Sequence, residues 1–231
     1  MAQVFTGTRP LVLVTDPRFG LDRTVDVVIR AARAVGRGRL LVQLRDKEGD
    51  AAAVHAAARV LRDATRREHA MFVVNESAAI ARDVGADGLH LPSDRATPLA
   101  SRIAAARALL GEDVWVSTAA HDDADVRAAI EAGATAALIS PIFATPGKGT
   151  PRGVHALATA RELVDAARRK RPMLVYALGG IARDNVIPCA QAGADGVAVI
   201  RALYEAIDAS MTATALALVD PFLRGAHSGT G

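Results

Sequence analysis

The chain has 231 residues, 51% hydrophobic and 23% charged, which suits one domain with a sizeable core and excludes a disordered or fibrous protein. Its net charge of +3 comes from basic residues scattered among acids, with 3% aromatics and no recognition motif, so no nucleic-acid partner is expected. No run reaches the roughly 18 apolar residues of a spanning helix, no charged-then-apolar leader opens the chain, and the one cysteine, Cys189, forbids an internal disulfide; a cytoplasmic protein without a membrane partner is expected.

The first predicted strand, Leu11–Thr15, leads into a helix over Asp22–Val35 that Gly36 ends. A strand over Leu40–Leu44 and a helix over Ala51–Glu68 follow, then a strand over Met71–Asn75 and a helical segment ended by Gly85. Gly88–Leu91 and Leu99–Leu110 form the next strand and helix. Val114–Ser117 and Ala124–Ala132 come after them, the helix closed by Gly133. Ala136–Ile139 is the sixth strand, His155–Arg168 the helix after it, and Met173–Leu178 the seventh strand. A helix over Asp184–Ala192, ended by Gly193, precedes the last strand, Gly196–Ile200. The recurring unit is a helix, a Gly that stops it and a short β-branched run; a Gly past the last turn can take the left-handed conformation and satisfy the final carbonyls.

The four stops at Gly36, Gly85, Gly133 and Gly193 are spaced 49, 48 and 60 residues apart, too long for one strand–helix unit and right for two. Eight strands result, each followed by a helical segment. Short apolar runs such as Leu40-Leu41-Val42 and Met71-Phe72-Val73-Val74 have the composition of parallel strands buried on both faces. The expected fold is α/β, a single (β/α)8 barrel over residues 1–224, with a small, polar, disordered tail at 225–231. An open doubly wound sheet is disfavoured because no Gly-x-Gly-x-x-Gly follows the first strand. The basic run Arg168-Arg169-Lys170-Arg171 reads as a solvated helix end, and Cys189 as packing.

In such a barrel the active site lies at the C-terminal ends of the strands. The second strand leaves through Gln43, Arg45 and Lys47, set on one side by alternation. The third ends in Asn75-Glu76 and the fourth in His90-Leu91-Pro92-Ser93-Asp94. Carboxylates on these adjacent loops, Glu76 and Asp94, suggest Mg2+ bridged to phosphate; the plainer reading is that they cap turns and helix starts. The sixth strand runs into a Gly- and Pro-rich loop, Ser140–Thr150, that carries Lys148. The chain has only three lysines, and two of them, Lys47 and Lys148, therefore sit at strand C-termini. Gly179 and Gly180 end the seventh strand, where bare backbone N–H groups can approach a ligand, and Ile200-Arg201 end the eighth. Two anion pockets follow, one from Arg45, Lys47 and Lys148, the other from the loops at 179–181 and 200–202. His55, His69 and His155 fall on predicted helices, whereas His90 and His121 lie near strand ends and suit acid–base work; Trp115 and Val116 read as core.

Together Gln43–Lys47, Gly85–Leu91, Pro141–Lys148, Gly179-Gly180-Ile181 and Ala192–Ile200 resemble the thiamine phosphate synthase and thiazole tautomerase family, over nearly the whole chain. The resemblance implies a transferase that ionises hydroxymethylpyrimidine pyrophosphate to a pyrimidine carbocation, which the nitrogen of a thiazole phosphate captures to give thiamine phosphate. It implies Mg2+ as cofactor and Gln43, Arg45, Lys47, Asn75 and Lys148 around the departing pyrophosphate. Thr145 would help place the pyrimidine, and Gly179, Gly180, Ile200 and Arg201 would surround the thiazole phosphate.

The chain departs from the family pattern at several points. Glu76 stands where the family has Asp, and Asp94 comes one position early, with Arg95 at the strict spacing. Ala119 replaces a serine after strand five, Gly147 replaces a threonine, and Arg201 replaces a serine near the final phosphate site. His121 aligns with a catalytic histidine of the tautomerase, which moves a proton on a thiazole carboxylate phosphate, so that activity is the alternative; Lys47 follows the synthase. A sugar-phosphate isomerase would share the phosphate pocket but needs an acid–base pair, and a non-catalytic precursor-binding relative would bind without turnover. The partners expected are small molecules, and a homo-oligomer is compatible with the sequence.

Overall fold

The computed structural model describes residues 9–169, 172–206 and 208–225. Strand β1 (Leu11–Val14) is followed by a short 3-10 turn at Pro17–Phe19 and helix α1 (Leu21–Val35). The alternation continues through β2 (Leu40–Leu44), α2 (Ala51–Arg67), β3 (Met71–Asn75), α3 (Ala78–Val84), β4 (Gly88–Leu91) and α4 (Leu99–Leu110). The second half comprises β5 (Trp115–Ala120), α5 (Asp123–Ala132), β6 (Ala136–Ile139), α6 (His155–Ala166), β7 (Leu174–Leu178), α7 (Val186–Gln191), β8 (Gly196–Val199), α8 (Arg201–Tyr204) and α9 (Asp208–Gly225). The strands pair in sequence order, all parallel, and β8 closes on β1. Followed through the Cα partners of all eight pairings, one circuit of the barrel returns eight residues displaced, the shear of a (β/α)8 barrel.

Alternation along each strand divides the core in two. Val12, Val14, Leu41, Met71, Val73, Trp115, Ala136, Leu138, Tyr176 and Ala198 fill the barrel interior. Their neighbours, among them Leu11, Leu13, Val42, Phe72, Val74, Leu89, Val116 and Val197, pack outward against the helices. The interior balances large against absent side chains. Trp115 meets Tyr176 edge-on at 6.4 Å between ring centres, and a Cβ on Gly196 would lie 2.7 Å from Tyr176 Cε1 and 2.6 Å from the Pro10 carbonyl. Tyr176 is fully buried, and its hydroxyl donates to the Arg9 carbonyl at 2.9 Å, which satisfies its polar end.

The recurring helix-stop segments do more than stop helices. Gly85 and Gly133 take the left-handed conformation expected of them, while Gly36 has positive φ with an extended ψ. Two residues after the stop, Asp87, Thr135 and Asp195 each stitch the oncoming strand to its predecessor. Asp87 N–H donates to the Phe72 carbonyl and its carboxylate accepts from Phe72 N–H, both at 2.8 Å. Thr135 does the same with Val116 at 2.7 and 3.1 Å, and Asp195 with Val175 at 2.7 Å in both directions. The two aspartates are further held by Arg62 and Arg161.

Some boundaries differ from those read in the sequence. β5 runs on to Ala120, because Ser117–Ala120 pair with Ala136–Ile139. α7 begins only at Val186, since the Asn185 side chain accepts from Ala182 N–H and donates to the Gly180 carbonyl, which holds 180–185 as a turn. His69 lies past the end of α2 with φ 54°, off the helix. Gly225 ends α9, and residues 226–231 of the expected tail, like Lys170 and Arg171 of the basic run, lie outside the described residues. Among the described residues no helix is long and apolar enough to cross a membrane.

If the stitching residues hold the strands in register, Asp195→Ala should lower stability by about 2–4 kcal/mol, because it strands a strand N–H and most of an ion pair. Thr135→Ala should cost about 1 kcal/mol. Urea denaturation measures both; equal and small losses would contradict the role assigned to the carboxylate.

Candidate active site

All eight strand C-termini meet at one mouth, and the loops that leave them carry the polar residues. Gln43 is the last interior-facing residue of β2 and is 3% exposed. Beyond Leu44 the chain leaves the sheet. Arg45 is fixed by its backbone, its N–H donating to Thr15 Oγ1 at 2.9 Å and its carbonyl accepting from the same hydroxyl at 3.2 Å. Asp46 then closes a turn by accepting from Glu48 and Gly49 N–H, which leaves Lys47 exposed. Strand alternation therefore accounts for Gln43, while a clamp and a turn position Arg45 and Lys47. Across the gap, buried Asp16 is gripped by the Arg18 guanidinium. That contact, aided by the charge of Arg45, holds the Asp16 carboxyl below the usual range.

β3 and β4 end side by side. Asn75 pairs in register with His90, and Glu76 N–H donates to the His90 carbonyl at 2.8 Å. Glu76 sits at φ 70° one residue before Ser77, the N-cap of α3, so it is exposed on the loop and outside the first helical turn. Asp94 is also exposed, and its Oδ1 accepts from Ala96 N–H at 2.8 Å, which is the turn-capping role. That hydrogen bond lowers the Asp94 pKa. Arg95 pairs with Asp122 on the surface. Among the described residues no three His, Cys, Asp or Glu side chains gather as a metal cluster.

His90 faces the interior beneath the mouth, 5% exposed, with Nδ1 3.0 Å from Ser117 Oγ. Burial, and then the charges of Arg45 and Arg102, push its pKa down to about 3, so the imidazole stays neutral. Ser117 escaped the sequence reading. The available signal was register: it is the β5 partner of His90, on the same interior row.

On the far side, His121 Nδ1 lies 3.1 Å from the Ser140 carbonyl and 3.3 Å from Ser140 Oγ, and its backbone N–H donates to Asp125. The ring sits on the surface of the mouth. The loop after β6 stays tied to the end of β7, through Ile142 N–H to the Leu178 carbonyl and Phe143 N–H to the Gly179 carbonyl. Thr145 Oγ1 donates to the Phe143 carbonyl at 3.0 Å, and Lys148 stands exposed on the turn closed by its own N–H to the Thr145 carbonyl.

Gly179 and Gly180, with φ of 101° and 65°, have no room for side chains: a Cβ would lie 2.9 Å from Pro141 Cα at the first and 2.7 Å from the Ala144 carbonyl at the second. Both lie half-buried at the mouth. Ile200, half-buried, packs on the interior cluster, and Arg201 begins α8 with its side chain exposed. The structure thus brings Gln43, Arg45, Asn75 and His90 to one side, and Thr145, Gly179 and Gly180 to the other. Lys47, His121, Lys148 and Arg201 stand around the rim. His55 and His155 lie on helices α2 and α6 rather than on strands or strand-end loops, and Cys189 is buried in α7, its thiol pushed up to about 11 by burial.

The family model described as thiamine monophosphate synthase matches residues 11–203. The thiamine-phosphate synthase of Bordetella pertussis is 40% identical over 200 residues, 83% of this chain and 88% of that protein. That of Gloeobacter violaceus is 38% identical over 87% of this chain, which spans only 54% of that longer relative. Among solved structures, the thiamine phosphate pyrophosphorylase from Pyrococcus furiosus superposes with a TM-score of 0.74 at 25% identity, covering 94% of this chain and 96% of the other.

The buried neutral His90 makes stability depend on pH. Well above pH 6.5 the imidazole is neutral in both states; as pH falls through 6.5 toward 3 the unfolded chain takes up a proton that the folded one refuses. Stability is lost across that window at up to about 1.4 kcal/mol per pH unit. His90→Asn should flatten the loss in urea titrations at successive pH values, and an unchanged slope would contradict a neutral buried His90.

Proposed function

Because the chain belongs to the thiamine monophosphate synthase family, we propose that it is a thiamine-phosphate synthase, joining hydroxymethylpyrimidine pyrophosphate to thiazole phosphate. The C–O bond to the pyrophosphate breaks with both electrons on the leaving group, and the thiazole nitrogen lone pair forms the new C–N bond, so no proton moves. The observation that carries this reading is the pairing of cations at the rim with neutral groups below. Arg45, Lys47 and Lys148 suit a charge that develops on the departing pyrophosphate, with Gln43 and Asn75 as further donors. His90, kept neutral by burial, adds no positive charge beneath a forming carbocation. Thr145 would orient the pyrimidine. Gly179 and Gly180 would offer backbone N–H groups to the thiazole phosphate, near Ile200 and Arg201.

We infer Mg2+ as the resident ion: Glu76 and Asp94 are exposed carboxylates on the loops after the paired strands β3 and β4, and Mg2+ takes one or two protein carboxylates together with substrate phosphates. Glu76 and Asp94 would hold it, Asp94 in place of part of its bonding to Ala96 and Thr97, and when bound it would neutralise charge on the leaving group. The lone cysteine suits a reducing cytoplasmic setting.

A second reading, thiazole tautomerase, draws on His121: Ser140 engages Nδ1, leaving the other ring nitrogen for proton transfer. The retained rim cations, which a tautomerase does not require, favour the synthase.

The purified full chain, given both substrates, should release pyrophosphate and form thiamine phosphate only when Mg2+ is present. A folded protein that binds thiazole phosphate and forms no product would overturn the proposal. Lys148→Ala should lower turnover about a hundredfold with unchanged thermal stability, since one preorganised charge is removed from an exposed turn. Loss of stability with full turnover would contradict its role.

A further inference from the structure

The opposite, N-terminal end of the barrel holds a second cationic feature that the synthase chemistry does not use. A cavity of about 370 Å3 is lined by Arg9, Arg37, Arg62, Arg66, His69 and Asp87, with Gly38 at its edge. Its floor is built. Arg9 is 8% exposed, and both Arg62 Nη atoms hold Asp87, at 2.7 and 3.0 Å, while Asp87 also caps Phe72 N–H. Its rim is not neutralised. Among the described residues Arg37 meets only His69, at 3.3 Å, and Arg66 has no carboxylate partner.

Four guanidinium groups and one carboxylate line the cavity, and of these Arg37 and Arg66 carry the charge that no carboxylate meets among the described residues. The ends of α1, α2 and α3 also lie here, and each helix C-terminus contributes about half a negative charge. Those ends offset part of the positive charge, and Arg39, bonded to the Val35 carbonyl, meets the end of α1. An anion is the ligand that completes this lining, and guanidinium forks suit phosphate oxygens.

We propose that this cavity is a second anion site, which takes the phosphate group of a small molecule or free pyrophosphate between Arg37 and Arg66 above the Arg62–Asp87 pair. It is separated from the mouth by the length of the barrel and does not depend on the synthase reading.

The test uses the full chain carrying Lys47→Ala and Lys148→Ala, which weakens pyrophosphate binding at the mouth. Inorganic pyrophosphate and adenosine monophosphate are titrated calorimetrically at low salt. Saturable binding of either probe is expected, weakened about tenfold or more by adding Arg37→Ala and Arg66→Ala and largely kept by the corresponding Arg→Lys changes. Both arginines are exposed, so folding should survive, and thermal melting checks it. Preference for pyrophosphate identifies the free ion as the ligand class, and preference for the monophosphate a nucleotide-like one. Absence of binding by both probes, or affinity unchanged in the Arg37→Ala/Arg66→Ala variant, overturns the proposal.

Discussion

Closure of eight parallel strands at a shear of eight is the constraint on which everything else rests. Parallel strands leave their C-termini on one side, and closure brings those ends into one ring. Residues as distant in sequence as Gln43, His90, Ser140 and Gly179 share one mouth only for that reason. The closure is in turn held from below. Asp87, Thr135 and Asp195 tie each oncoming strand to the one before it, and the absence of side chains at Gly88 and Gly196 makes room for Trp115 and Tyr176. The part of the chain that sets register and the part that carries the candidate site lie at opposite ends of the same strands.

Electrostatics then divides the mouth into layers. Below the rim, desolvation dominates: His90 is neutral and bonded to Ser117, and Gln43 is an uncharged amide. At the rim, solvent stabilises full charges, and Arg45, Lys47 and Lys148 stand on turns. A reaction that separates an anionic leaving group from a carbocation benefits from this order, since positive charge belongs around the anion and away from the cation. The exposed lysines can also move with a substrate, whereas Arg45 is tethered through its backbone to Thr15.

Much of this was legible in the residues. Apolar runs and helix stops gave the barrel, because strand burial and helix termination are local, short-range effects. The rim cations were found by position alone, lysine being scarce. What could not be read depended on contacts between distant segments. Alternation placed Gln43 correctly, but Arg45 and Lys47 lie beyond the strand, where Thr15 and Asp46 decide the path. Glu76 looked like a first-turn residue, yet its pairing to His90 moves it outside α3. Ser117 and the Asp16–Arg18 pair went unremarked, since neither has a pattern until β5 meets β4 and the first loop folds over. The aspartates of the two Gly-Ala-Asp-Gly segments were read only as part of a helix stop; their bonds to the preceding strand require the sheet to exist.

The central claim is that the mouth stabilises a separated pyrophosphate before the second substrate reacts. Label exchange tests it most directly: the protein is incubated with hydroxymethylpyrimidine pyrophosphate, Mg2+ and radiolabelled inorganic pyrophosphate, with thiazole phosphate withheld. Ionisation ahead of capture predicts that label enters the pyrimidine substrate, and that Lys148→Ala suppresses the exchange. An enzyme that forms thiamine phosphate readily, yet shows no exchange at all, would contradict the account.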